Sequence, residues 1–421
     1  MVLMAPANPE VSSSVRLVPR VLVIVPNDSY RAADFVAAAD ALSIDLSIAS
    51  EERPPLRPDD GFVRIDCGDP VASAEAVADL AARTPVDAIV AADDAGVEIA
   101  ARASQLLGLT ASPPAAAAVT LDKLAARRLL ASGEVPQPEF LVLAADDDPA
   151  AVVAGFGGPV VIKPPMLSAG RGVLRVDEPG DAAPTVERIR RIVAAAGRDP
   201  DGPLLVERYV DGPEVSVEGI VWEGEVEVLA ILDKPIPMTG PAFEETIFVT
   251  PSRHDGSVLA EVERVTASAV RALGLTEGPI HAELRIERGR PLVIEIAGRT
   301  IGGLCGRALR FGLLGAPLET MVLRHALGLR KTSLRRETDA SGVLMIPIPR
   351  AGVLRAVTGV DETRALPGVT SVEITAPVGS WVAPPPEGDR YLGFVFARRR
   401  RPDEVEEILR TAMESIRVVV D

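Results

Sequence analysis

The apolar positions of the first hundred residues fall in short continuous runs rather than in strict alternation. Arg20-Val-Leu-Val-Ile-Val25 closes at Pro26, and Val86-Asp-Ala-Ile-Val-Ala91 leads into Asp93-Asp94. Runs of this kind predict strands buried on both faces, as in a parallel sheet. Leu46-Ser-Ile48 and Phe62-Val-Arg-Ile65 predict two more short strands, and residues 32–42, 72–83 and 98–107 read as helices. Strands alternating with helices imply an open α/β sheet whose ligand crevice lies beyond the carboxyl ends of the strands, near Asn27 and Asp93. No G-x-G-x-x-G follows the first strand, which argues against a dinucleotide-binding fold.

Ser112-Pro-Pro114 breaks this pattern, and a helix is expected over 120–132, ended by Gly133 and Pro136. Two β-rich blocks follow, 158–176 and 204–233, with a helix between them. A helix near 257–273 leads to strands at 280–287 and 291–296, joined by the turn signal Arg288-Gly-Arg290. A further helix is expected between Gly303 and about Leu327. Beyond it come strands at 342–348, 369–374 and 392–397 and a closing helix over 402–416. The chain therefore divides into a flexible arm (1–19), an α/β domain (20–115), a central α+β domain in two lobes (116–330) and a smaller α+β C-terminal domain (331–421).

Composition narrows the partners. The 421 residues exceed what one hydrophobic core organises. Aromatics make up 3%, which disfavours recognition by rows of stacked bases, and a net charge of −16 disfavours a nucleic-acid backbone. The two cysteines, Cys67 and Cys305, build neither a disulfide framework nor a Cys-type zinc site, which fits a reducing, cytoplasmic setting. There is no secretory signal in the first 20 residues and no run of about 18 apolar residues, so no membrane span is expected.

Three segments carry chemistry. In Val160-Val-Ile-Lys163-Pro-Pro-Met-Leu-Ser168-Ala-Gly170-Arg-Gly172, an apolar strand delivers a lysine to a loop of small residues. Glycines let backbone N–H groups approach phosphate oxygens, and the lysine neutralises the same oxygens. Taken alone the segment reads equally well as a strand end and a turn; the Walker order is absent. In Leu204-Leu-Val-Glu207-Arg208-Tyr209-Val210-Asp211-Gly-Pro-Glu214, a strand runs through a linker whose backbone could meet an adenine, with Glu214 placed for ribose hydroxyls. The alternative is a hairpin with solvated acids. In the third segment, Glu283 and Glu295 lie on two strands joined by a tight turn, where they can face each other across the ladder. Two carboxylates so placed call for a cation, and hard oxygen donors suit Mg²⁺. Pairing with Arg285 and Arg299, or exposure to solvent, is the competing reading.

Taken in order, Asp122-Lys123 with Arg127-Arg128-Leu-Leu, VVIKPPMLSAGRGV, LLVERYVDGPEVSVEG and HAELRI…PLVIEIAGRTIGG resemble the ATP-grasp superfamily of carboxylate–amine ligases. The branch most similar is that of L-amino acid ligases and carnosine-synthase-like enzymes. The resemblance implies an ATP-grasp fold, two α+β lobes gripping ATP, with the open α/β domain before it and the α+β domain after it. It implies that Lys123 and Lys163 contact phosphates and that the loop holding Ser168, Gly170 and Gly172 closes over the triphosphate. Glu207, Arg208 and Val210 would read adenine, Glu214 the ribose, and Glu283 and Glu295 Mg²⁺, with Mn²⁺ as an alternative. Arg299 and Gly302-Gly303 would hold the substrate carboxylate and its acyl phosphate, making Arg299 and Lys163 the catalytic pair. Ala297 stands where many members have Asn, leaving one metal position to water or phosphate.

The activity implied is an ADP-forming ligation of a carboxylate to an amine through an acyl phosphate. The substrates would be small molecules, amino acids or other small acids, and homodimerisation follows from the family alone. A bicarbonate-activating or phosphoryl-transferring enzyme and a non-catalytic nucleotide module are the rival readings. Glu244-Glu245 and Arg253-His254 are expected as solvated loop charges, His281 as a structural histidine and Cys305 as small packing.

Overall fold

The computed structural model describes residues 18–27, 29–53, 61–329 and 335–421. The arm expected over 1–19 lies outside the described residues except for its last two. The N-terminal sheet has four parallel strands in the order Phe62–Arg64, Asp45–Ser50, Arg20–Ile24, Ala88–Ala91. The helices Ala32–Leu42 and Pro70–Arg83 supply crossovers, and Asp94–Leu107 follows the last strand. Val21, Leu22, Val23 and Ile24 are fully buried, because helices cover both faces and a parallel sheet has no wet side. Pro26, Ser29 and Tyr30 at the end of the first strand face the crevice, while Asn27 itself turns aside. Its side-chain oxygen accepts from Ser50 Oγ at 3.0 Å and from Glu52 N at 2.9 Å, tying two loops together.

The helix expected over 120–132 begins three residues late, at Lys123, and a separate short helix precedes it. Pro114–Val119 ends at Thr120, and Lys123–Ser132 starts afresh because Asp122 caps it, accepting from Leu124 N and Ala125 N. The restart places Lys123 in the first turn.

The first lobe is an antiparallel sheet in the order Phe140–Leu143, Leu204–Arg208, Val160–Lys163, Leu174–Val176, packed on helices Pro149–Phe156 and Ala182–Ala195. The second lobe is built on an eight-stranded sheet in the order Arg290–Ala297, Glu277–Glu287, Glu214–Trp222, Glu225–Lys234, Ile247–Thr250, Ala340–Met345, Gly393–Arg399, Val369–Ile374. This sheet runs on past residue 330, since Ile247–Thr250 pairs antiparallel with Ala340–Met345. The strands carrying Glu283 and Glu295 are joined by Arg288-Gly289, both at positive φ (51° and 79°). Two such residues form the hairpin turn whose twist matches the flanking strands, and they set the register. A small sheet of Gly352–Thr358, Trp381–Val382 and Arg417–Val420 completes the C-terminal region. Among the described residues no helix is long and apolar enough to cross a membrane.

The N-terminal sheet is fixed to the rest by helix Leu318–Ala326, whose Val322 and Leu323 join the apolar cluster of Val21, Val23 and Phe35. Beside this contact Arg31 donates to Glu319 at 2.8 Å and to the Ala92 carbonyl at 2.8 Å, with both charged side chains only 2% exposed. Replacing Glu319 by Leu leaves the Arg31 charge buried without its carboxylate. The expected loss is about 3–5 kcal/mol of stability, read from the urea midpoint. An unchanged midpoint would show that the pair is dispensable.

Candidate active site

The two lobes and the N-terminal domain enclose a cavity of about 390 Å³. Lys123, Lys163, Ser168, Gly170, Glu207, Arg208, Val210, Glu214, Glu283, Glu295 and Arg299 all line it. Asp93 and Asp94, at the carboxyl end of the last N-terminal strand, line it too, as expected of an open α/β sheet. Gly172 stands apart from the lining, and its N–H donates to the Pro386 carbonyl at 3.0 Å.

Two lysines enter from opposite sides. Lys163 ends its strand at 3% exposure, with Nζ 2.8 Å from Glu207 Oε2. Burial pulls its pKa down, and Glu207 offsets only part of that. Glu207 is fixed from the other side by Arg127, whose Nε lies 2.5 Å from its Oε1. Arg127 also donates to the Val293 and Ile294 carbonyls at 2.9 and 2.6 Å. Despite burial, these two cations hold the Glu207 carboxyl below its usual range. Glu207 therefore serves here to place Lys163. Lys123 Nζ donates to the Leu167 carbonyl at 2.6 Å and lies 3.2 Å from Glu295 Oε1, so it bridges the glycine loop and the floor.

Glu283 and Glu295 are register partners across the hairpin. Neither pairs with Arg285 or Arg299. Glu283 accepts from Lys234 Nζ at 2.8 Å, and the same ammonium donates to Glu214 Oε1 at 2.6 Å and to Glu245. Burial would lower the Lys234 pKa, but three carboxylates hold it well above its ordinary value. Oxygens of Glu214, Glu245 and Glu283 lie within 4.8 Å of one another around that ammonium, hard donors of the kind a divalent cation takes, while Glu295 stands outside this set against Lys123. Crowding divides the titration of Glu283 and Glu245. Burial raises Glu283, yet Lys234 and His281 hold it well below the carboxylate range, while burial and the neighbouring Glu283 push Glu245 up to about 7.

Along the hinge, the Arg208 and Tyr209 amides donate to the Glu139 and Pro159 carbonyls, both at 2.9 Å. Arg285 fixes the next step, donating to the Val210 carbonyl at 2.9 Å and to Glu214 Oε2 at 2.8 Å. Arg299 is gripped from the N-terminal domain, with Nε and Nη2 each donating to Asp94 at 2.8 Å in a forked pair.

Residues 156–308 match the ATP-grasp domain, and residues 344–421 match the L-amino acid ligase C-terminal domain 2. The chain contains an ATP-grasp domain. It is 28% identical over 208 residues to the D-alanine–D-alanine ligase of Cupriavidus pinatubonensis, covering 48% of this chain and 60% of that one. The chain spans 60% of the length of the first curated relatives it matches. The L-amino acid ligase from Bacillus licheniformis superposes with a TM-score of 0.79 at 22% identity, covering 96% of this chain and 99% of that one. A carboxyaminoimidazole ribonucleotide synthase from Aspergillus clavatus, solved with ATP, superposes with a TM-score of 0.73 at 18% identity, covering 95% and 99%. These structural likenesses establish the fold, two ATP-grasp lobes between an open parallel α/β domain and an α+β C-terminal region.

Several side chains of the ATP-grasp site escaped the sequence reading. Lys234 ends the run Ala230-Ile-Leu-Asp-Lys234, the same apolar-strand-then-lysine signal that singles out Lys163. Glu245, expected as a solvated loop charge, lines the cavity and accepts from Lys234 and from the Tyr391 hydroxyl. Arg253 is exposed but not free; it bridges Asp233 and Glu406 at 3.0 and 2.6 Å and ties the last helix to the large sheet. Cys305 is buried, and burial pushes its thiol well up, which suits packing and not attack.

His281 sits opposite Ala297 in the ladder, with Nδ1 2.5 Å from Glu218 Oε1 and Nε2 3.5 Å from Glu283 Oε1. Burial favours the neutral ring, but Glu218 wins and raises its pKa to about 9. A raised pKa means that the imidazolium stabilises the fold fully below pH ~6.5 and that this contribution is lost as pH rises through about 9. In metal-free buffer, wild-type stability should therefore decline across that window by on the order of 3 kcal/mol more than that of His281→Gln. Parallel pH profiles for the two proteins in thermal unfolding would contradict this.

Proposed function

We propose that this chain is an ADP-forming carboxylate–amine ligase acting on amino acids or similar small acids. One observation carries the reading: two lysines, two register-paired glutamates and an arginine from distant parts of the chain meet in one cavity of an ATP-grasp fold. ATP lies between the lobes in this reading, with its adenine against residues 207–210 and its ribose near Glu214. Lys163 and Lys123 neutralise the phosphates from opposite walls. Glu283 and Glu295 would hold Mg²⁺, or Mn²⁺ in its place, which lowers the charge repulsion between the phosphates and the incoming carboxylate. Each of these acids now rests on a lysine, so a divalent cation would take over a charge balance already in place.

The substrate carboxylate oxygen attacks the γ-phosphorus and displaces ADP, and the acyl phosphate is held by Arg299 and the Gly302-Gly303 loop. An amine then attacks the acyl carbon, loses a proton and expels phosphate. The protein contributes placement and fixed charge. Water must stay out, since it would hydrolyse the acyl phosphate before the amine traps it.

ADP and phosphate should be released from MgATP only when a suitable acid and amine are both supplied, with an amide product of matching mass. A broad panel of amino acid pairs that yields no amine-dependent release would sink the reading. Lys163→Met should lower kcat/KM by about 10²–10³-fold while the fold is kept, since one preorganised cation is lost. Glu295→Gln should raise the Mg²⁺ concentration needed for half-maximal rate, and an unchanged requirement would remove Glu295 from the metal site.

A further inference from the structure

The C-terminal region sends one loop into the cavity, where Pro385, Gly388, Asp389, Arg390 and Tyr391 form part of the wall. The same loop grips the first lobe from outside. Pro386 accepts the Gly172 N–H at 3.0 Å, and Asp389 Oδ2 lies 3.3 Å from Arg171 Nη1. Glu387 takes a forked pair from Arg188, on helix Ala182–Ala195 of that lobe, at 2.7 and 3.0 Å. At the other end of the loop the Tyr391 hydroxyl donates to Glu245 Oε2 at 3.3 Å, reaching the acid cluster on the large sheet.

We infer that residues 384–391 form a latch in which Glu387 and Asp389 are positioning residues, holding the glycine loop and first lobe closed over a bound nucleoside triphosphate. The inference rests on the proposed function for where the nucleotide lies. The contacts are of the reversible kind. Among the described residues the apolar cluster of the first lobe draws none from beyond Ala242, so the grip of the C-terminal loop rests on the polar contacts above. Arg188 and Glu387 are 43% and 44% exposed. An exposed pair of this sort shifts a two-state equilibrium by up to about fivefold, enough to bias closure without welding the lobe shut. Gly172 sits at the grip because its φ is +70° and an added Cβ would lie 3.1 Å from the Pro164 ring. By ending on Tyr391, the latch connects a closed phosphate loop to the wall at Glu245. The C-terminal region thereby acquires a task in the reaction, which is to keep water from the acyl phosphate until the amine arrives.

Arg171–Gly172 is the one tryptic bond within residues 164–174, because Lys163 precedes proline. Full-length protein with Mg²⁺ and the β,γ-imido analogue of ATP is treated with trypsin, and the cut after Arg171 is followed by fragment mass. Arg188→Glu, which sets two carboxylates against each other, should speed that cut about three- to fivefold. It should also raise the ratio of ADP released to amide formed by a similar factor. Adding Glu387→Lys to that variant should return both towards wild type, which a simple loss of packing would not do. Equal cleavage of wild type and Arg188→Glu, or no rescue by the swapped pair, overturns the latch. The proteolysis does not need turnover, so a wild-type protein that fails to ligate would refute the proposed function without touching this result.

Discussion

A charge taken out of water needs an opposite charge beside it, and that requirement shapes the floor of this cavity. Lys163 lies on Glu207, which Arg127 also holds; Lys234 is set among Glu214, Glu245 and Glu283; Arg299 is gripped by Asp94; His281 lies on Glu218. Each ion is tolerable at its depth only because its partner is fixed. In the proposed reaction the same arrangement is useful, because groups already held in position need no reorganisation when a polyanion and its cation arrive.

The frame that fixes these partners is the eight-stranded sheet. Four of its neighbouring strands present Glu295, Glu283, Glu214 and Lys234. Strand register sets which of these side chains meet, and a slip of one residue would turn each to the opposite face. The sheet also continues into the C-terminal region, so the floor of the cavity and the root of the loop at 384–391 belong to one hydrogen-bonded body. Against that body stand two further parts: the first lobe, with its glycine loop, and the N-terminal domain, which supplies Asp94 and pairs its Arg31 with Glu319.

Much of the architecture was readable along the chain, because hydrophobic period and turn chemistry are local properties. The parallel strands announce themselves as unbroken apolar runs, the Arg288-Gly289 turn as a hairpin, and Lys163, Glu207, Glu283 and Glu295 as polar residues set in or at the ends of apolar strands. The helix expected from residue 120 begins only at Lys123, since the Asp122 side chain caps it there. The Lys234 signal was present in the same form as that of Lys163 and sits one residue beyond the expected block.

What the chain by itself determined is thus the set of elements and the residue types offered at their ends. Only the tertiary structure decided the partners. Arg285 and Arg299 follow the two metal-candidate glutamates in sequence but pair with Glu214 and Asp94. Glu245 and Arg253 look like surface charges in sequence and are built into the cavity wall and a domain clasp. The physical reason is that pairing of buried charges depends on distances across sheets and between domains, and those distances are fixed by register and packing among segments far apart in the chain, as Asp94 and Arg299 show by lying 205 positions apart in the chain and 2.8 Å apart in space.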